Sequence, residues 1–313
     1  MKIEIPFPRR PLNDEETRDE QIEPDKFFGI TGKGNPQVCK FDGVKVRTVE
    51  DGLTYLNLKA GETLRQALMR IPLYEDGNFV IHLMELPPGG YHPRVARPFG
   101  PDGLQSIHEA QRCHEVMIEL LNQLRSLVGM LDAICQTVHP QGVNLKCYGS
   151  SIRNLLILAC TECEAQWRGV QSANGYSPKN PKTTDYVKLC APLRLPEYGV
   201  RLSHFPWIEP FMPYKSWVSS APTKTLPWYD DYNAAKHDRE VSFPRASLMS
   251  AIQSVAAIWI MVYAQFGMVG IREFEDLNRY FEFTQVPRWR FSECYTSIKS
   301  GFKNLAGPQR LLF

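Results

Sequence analysis

The chain has 313 residues, 43% hydrophobic and 22% charged, and its 36 basic and 34 acidic side chains leave a formal charge of +2. Those shares are ordinary for ordered globular proteins and exclude wholesale disorder, and the length allows one large unit with a smaller one attached. So small a charge supplies no global field for nucleic acid or membrane, and binding of either kind needs a local patch.

The N-terminal stretch MKIEIPFPRRPLNDEETRDE has neither the apolar core nor the small-residue cleavage site of a secretory leader, so a cytoplasmic protein is expected. Eight scattered cysteines, Cys39, Cys113, Cys135, Cys147, Cys160, Cys163, Cys190 and Cys294, read as reduced thiols. Cys160 and Cys163 form a C-x-x-C with no second pair to complete a zinc site, so packing is expected of them. No metal and no cofactor is predicted.

Residues 1–26 join prolines 6, 8 and 11 to the acidic run NDEETRDEQIEPD, which suits an extended surface arm. Residues 27–103 carry short mixed signals: FDGVKVRTV and NFVIHLMEL have strand character, and ETLRQALMRI has helical spacing. They predict a small α+β unit that ends in the Pro- and Gly-rich connection LPPGGYHPRVARPFGPDG.

Residues 104–313 read as a helical bundle with a C-terminal helical extension, which makes the expected fold mainly α with a small N-terminal strand-containing unit. A long helix is predicted over 104–138, from a stripe that includes Val116, Leu120, Leu124, Leu127, Leu131 and Ile134. A second runs from 149 or 150 to 170, capped by Ser150 or Ser151, with Leu155, Leu156, Ala159, Cys163 and Trp167 toward a core and Asn174-Gly175 as its stop. Residues 175–227, rich in proline and aromatics, predict an ordered but irregular connection. A third helix begins near Pro227, with Asp230 and Asp231 in its first turn.

The fourth spans Ala246 to Gly267, long enough to cross a bilayer but interrupted by Ser250, Gln253, Ser254 and Gln265 and without flanking basic clusters. A buried core helix and no membrane span are expected. Helical character resumes in IREFEDLNRYFEF and SECYTSIKSGFKNLA. In VPRWRF, Arg288 and Arg290 flank Trp289, a grouping that suits single-stranded nucleic acid or, more commonly, Arg packing on Trp inside a fold.

Chemistry is most concentrated in WYDDYNAAKHDRE. Asn233 and His237 are one helical turn apart, Tyr229 is one turn before Asn233, and Lys236 and Arg239 add two cations. Imidazole exchanges protons near neutral pH and cations stabilise a charged phosphoryl group, so the set suits a phosphate; Arg245 is a further cation for RNA. The same residues equally suit a satisfied polar network in a bundle with ordinary surface pairs. Elsewhere, His108 and His114 do not share a helix face, Ser150 and Ser151 lack a nucleophile elbow, and Gly32-Lys33-Gly34 lacks P-loop spacing.

The order of a Glu-bearing helix (TECEAQW), a long irregular connection, YNAAKHDRE and an Ala-rich helix resembles the all-helical HEPN superfamily of prokaryotic toxins and defence proteins over 104–267. The resemblance implies a metal-independent endoribonuclease, or an RNase-derived protein, with its site at a homodimer interface. Asn233 and His237 match the polar residue and the His of the family motif, and Tyr232 stands where the family has Arg. On that reading His237 is general acid or base, Asn233 orients it or the phosphate, Lys236 or Arg239 replaces the missing Arg, and Glu164 or Glu162 orients His237 or Lys236 from the second helix. The alternative is a non-catalytic helical interaction module that binds a nucleotide, RNA or a protein partner.

Overall fold

A computed structural model describes residues 22–50, 52–99, 105–106, 114–272, 275–296 and 306–313. Residues 1–21 of the expected arm over 1–26, His108, Cys113 and most of SECYTSIKSGFKNLA lie outside the described residues. The end of that arm departs from the expectation, with Ile22 buried in the sheet core and Lys26 opening a strand.

The N-terminal strands are β1 (Lys26–Gly32), β2 (Gln37–Phe41), β3 (Lys45–Thr48), β4 (Thr54–Asn57) and, after the short helix α1 (Leu64–Leu68), β5 (Phe79–Leu83). They form one antiparallel sheet in the order β4-β3-β2-β1-β5. Alternation aims Phe28, Ile30, Cys39, Val46 and Ile81 into a core closed by Leu64, Leu68 and Tyr74. Thr63 starts α1 with a reciprocal capping box to Gln66.

The opposite sheet face meets the C-terminal segment. Phe291 lies on Gly29 so closely that a Cβ there would sit 1.9 Å from its ring, and His82, the β5 partner of Gly29, touches the same ring edge-on. Glycine is required at 29 by this close approach.

Two short strands, β6 (Arg97–Pro98) and β7 (Gln105–Ser106), pair before the main helices. Those are α2 (His114–Thr137) and α3 (Ser150–Ala173), followed by the short α4 (Thr183–Tyr186) and α5 (Cys190–Leu193), the strand β8 (Gly199–Leu202), then α6 (Pro227–His237), α7 (Arg239–Ser242) and α8 (Leu248–Arg272). The last elements are α9 (Glu275–Tyr280) and β9 (Phe281–Gln285).

Helix α8 is the axis of the larger core and packs against α2, α3 and α6. Its stretch Leu248–Gly267 is the one described helix apolar and long enough to cross a membrane, and 89% of that window is buried inside the protein. The helix breaks at Gly267, where φ is +66°, a value glycine adopts without strain. The aromatic connection is tied down by Trp167 of α3, whose ring meets Trp217 at 4.9 Å, Tyr186 at 5.1 Å and Tyr229 at 5.5 Å.

This architecture corrects the mainly α expectation. The chain is 46% helix and 17% strand with a five-stranded antiparallel sheet, an α+β fold rather than a bundle with a small attachment. Three local corrections follow. Residues 105–106 are strand, so no helix starts at 104 and runs on from there; the first long helix is described from His114 onward. The Ser cap of α3 is absent: Gly149 is the N-cap, without a side-chain bond.

The end FEF of the stretch IREFEDLNRYFEF, read as helix, belongs to β9, paired with β8 inside the stretch read as irregular. Its period-two aromatics decide this, because Phe281 and Phe283 both stack on Trp259, at 5.9 and 5.8 Å.

Candidate functional site

Helix α6 starts with Pro227 at its first position, as its sequence implies, and ends at Asp238, whose side chain accepts from the Val241 amide to start α7. Trp228, Tyr229, Tyr232 and Ala235 form its buried face against α3 and α8. Its polar side chains point mostly at protein partners. Tyr229 donates its hydroxyl to Glu164 Oε1 at 2.7 Å, and burial followed by that carboxylate pushes the phenol pKa far up. Asn233 Nδ2 donates to the carbonyl of Tyr229 at 3.0 Å, one turn back on its own helix.

Lys236 Nζ donates to Tyr232 OH at 2.8 Å and lies 5.0 Å over that ring; the bond holds the ammonium pKa above its usual value. Arg153 of α3 donates from Nε to the carbonyl of Ala235 at 3.1 Å, capping the negative end of α6. His237 is exposed at that end.

On the other side of α6, Arg245 donates from Nε to Asp231 at 3.0 Å and from Nη2 to Asp230 at 2.6 Å. Ser250 of α8 donates to Asp231 at 2.6 Å, and Lys224 pairs with Asp230 at 3.0 Å. Burial alone would raise the Asp230 pKa, but Arg245 and Lys224 more than offset it and hold the carboxyl low. The two acids expected merely to favour the helix N-terminus therefore anchor α6 to α8 and to the turn before it.

The predicted site residues thus separate into three groups. Glu164, Tyr229, Asn233 and Lys236 lie along the α3–α6 seam, Arg245 is held by two carboxylates, and His237 faces solvent. The side chain of Arg239 is outside the described residues. Glu162 turns away from α6: it accepts from Gln166 Nε2 at 2.9 Å.

That bond is the outer end of a chain that the sequence reading did not assemble. Gln166 Oε1 accepts from Gln265 Nε2 at 3.0 Å, and Gln265 Oε1 accepts from Arg94 Nε at 2.9 Å, with both glutamines fully buried. Its one signal is the interruption of the apolar α8 stretch by Gln265, since a polar residue on a buried face needs a partner. Trp289 does carry arginines inside the fold: the guanidinium carbons of Arg97 and Arg194 lie 5.0 and 4.9 Å from its ring centre.

Beside the end of α6, the C-terminal half of α2 and the start of α3 enclose an open groove of about 500 Å³, lined by Met130, Ile134, Val138, Tyr148 and Ile152 among others. Tyr148 on its lining is 51% exposed and has the Phe243 ring edge-on at 5.5 Å, and in the segments next in sequence Val143 is 82% and Val241 77% exposed. Among the described residues no group of three or more His, Cys, Asp or Glu is placed to hold a metal ion. Cys160 and Cys163 are fully buried, which raises their thiol pKa well above the usual value and keeps them as unreactive packing groups.

No protein-family model, no curated protein and no solved structure matches this chain.

Proposed function

We propose that this chain is a non-catalytic interaction module that works by self-association. The observation that carries the reading is the engagement of the polar groups around α6. A phosphate would have to take Lys236 from Tyr232 and Arg245 from both Asp230 and Asp231, and each exchange loses a charge-assisted or polar bond already made. Cations elsewhere are matched in the same way, as in Lys40–Asp25, Arg70–Glu62, Arg125–Asp276 and Arg201–Glu282. Such pairing disperses positive charge instead of gathering it into the stripe that a polyanion needs.

The α2–α3 groove supports a second copy as the partner. A two-fold contact uses one patch on both molecules, so that patch must be self-complementary. Here the hollow is edged by the half-exposed Tyr148, and the neighbouring segments carry the exposed Val143 and Val241, apolar exposure of the kind that marks association sites.

One observation favours a second reading, a metal-independent endoribonuclease of a toxin or anti-phage system. Exposed His237 adjoins this same face, because the Arg153–Ala235 bond sets the end of α6 beside the start of α3, and pairing two copies there would bring two imidazoles into one neighbourhood.

Sedimentation velocity at micromolar protein tests the association. Wild type is expected to run as a dimer and Tyr148→Asp as a monomer, since the contact would bury an unpaired carboxylate. A monomeric wild type, or dimers that survive Tyr148→Asp combined with Val241→Asp, would sink the self-association reading.

A further inference from the structure

One stripe of α3 faces solvent. Ser151, Asn154 and Leu158 follow one another in steps of three and four, on the side turned away from the buried Leu155, Leu156 and Ala159. Ser151 and Asn154 line the α2–α3 groove, and Leu158, 44% exposed, stands one turn beyond them. A knob and a hollow therefore lie next to each other on the same helix face.

Charge is missing from this surface. Over 126–137 of α2 and 150–161 of α3 the charged residues are Asp132 and Arg153 alone, in a chain that is 22% charged. Neither lines the groove. Asp132 accepts from Gln136 Nε2 on its own helix at 3.2 Å, and Arg153 is turned to the Ala235 carbonyl of α6. Depletion of charge is what distinguishes the core of a protein interface from the rest of a surface. The next charge along the stripe is Glu162, one turn beyond Leu158. At the other end α3 starts at Ser150 behind the N-cap Gly149, which makes no side-chain bond, so the positive end of the helix dipole has no side-chain cap.

We propose that two copies of this chain associate through antiparallel α3 helices, about a two-fold axis between positions 154 and 158 that seats each Leu158 in the groove of the other copy. The proposal rests on the self-association reading and adds to it the element, the direction and the register. Knob and hollow are four residues apart, about 6 Å along the helix, so an axis halfway between them exchanges the two. The same axis sets Thr161 across from Ser151 of the second copy and Glu162 across from Ser150. A carboxylate then meets the uncapped start of α3 in both directions, a match that a second copy supplies of itself. A parallel pairing would set Leu158 against Leu158 and Glu162 against Glu162, with like charges opposed and both hollows left open.

Sedimentation velocity and oxidative cross-linking of the full chain read the register. Leu158→Asp is expected to raise the dimer dissociation constant more than about tenfold, because a carboxylate would enter the apolar hollow, while melting stays nearly unchanged at so exposed a position. Glu162→Lys, which puts a cation at the start of the other helix, should weaken association several-fold. Asn154→Cys and Leu158→Cys proteins, mixed and left to exchange subunits, should form more disulfide-linked dimer than either variant alone, with the wild type and its partly exposed Cys147 and Cys190 as the background. A wild type that is monomeric at micromolar concentration overturns the self-association reading and this register with it. If the wild type is a dimer, a dimer that survives Leu158→Asp, unweakened association in Glu162→Lys, or cysteine variants that cross-link no better mixed than alone would each overturn the register and leave self-association standing.

Discussion

Replacing Glu293 with alanine is expected to lower the unfolding free energy by about 3 kcal/mol, toward the lower end for breaking a buried ion pair. Glu293 is buried, and its carboxylate takes Arg194 Nη2 at 2.8 and 2.7 Å, the Arg290 amide at 2.8 Å and Arg290 Nε at 3.2 Å. Its backbone carbonyl takes Arg97 Nη1 at 3.0 Å. Without the carboxylate, Arg194 and Arg290 lose their shared acceptor while Arg97 and Arg194 still flank Trp289 with less negative charge between them.

The loss spreads, because the same short segment seats Phe291 on Gly29 and accepts the Glu85 amide at Ser292, and so joins the sheet to the helices. Burial by itself raises the Glu293 pKa, but the bonds from Arg194 and Arg290 outweigh it and leave it lowered. The stabilisation is therefore present above the ordinary carboxylate pKa of about 4.3 and is lost as the pH falls through the lowered value. Urea unfolding at neutral pH checks the size, and a change below about 0.5 kcal/mol, within the range of ordinary surface substitutions, would contradict it.

Gln265→Ala is expected to cost a similar amount, about 3 kcal/mol, from a cavity plus broken polar pairing. The side chain is fully buried, donates to Gln166 Oε1 and to the carbonyl of Met261 at 2.9 Å, and accepts from Arg94. Room for the Arg94 side chain exists because α3 has glycine at 169, where a Cβ would stand 2.1 Å from Nη1. Gln253→Ala, on the same helix but partly exposed, serves as the control and should change stability by less than about 0.5 kcal/mol. Equal losses for the two would show that the Arg94–Gln265–Gln166 chain contributes nothing particular.

The helices were legible because burial on one side repeats every 3.6 residues. Ser150–Ala173 and Pro227–His237 fall where Leu155, Ala159, Cys163 and Trp167, or the Pro227 start, place them. The sheet was less so. Its strands are four to seven residues long, and their partners come from both neighbouring and distant segments, so alternation in FDGVKVRTV could not reveal that β2 and β3 meet around Asp42-Gly43. Phe281 and Phe283 show the same limit, since only Trp259, more than twenty residues earlier, makes their period-two spacing decisive.

At the candidate site, spacing correctly put Asn233 within one turn of Tyr229, but proximity alone did not tell which groups were already engaged. Asp230 and Asp231 precede Arg245 by 15 and 14 residues, and no local rule connects them across the turn. Glu164 and Glu162 illustrate the reverse: two positions apart on a helix, they had to diverge, one to Tyr229 and one to Gln166.

The central claim is that the polar groups of α6 hold helices together rather than perform chemistry. Cleavage of a labelled RNA by purified wild-type protein, without metal and beside His237→Ala, tests it most directly. No cleavage above the His237→Ala level is expected, with the two proteins melting together because the imidazole is exposed. Cleavage by the wild type that disappears in His237→Ala, with melting unchanged, would contradict the account and establish the ribonuclease reading.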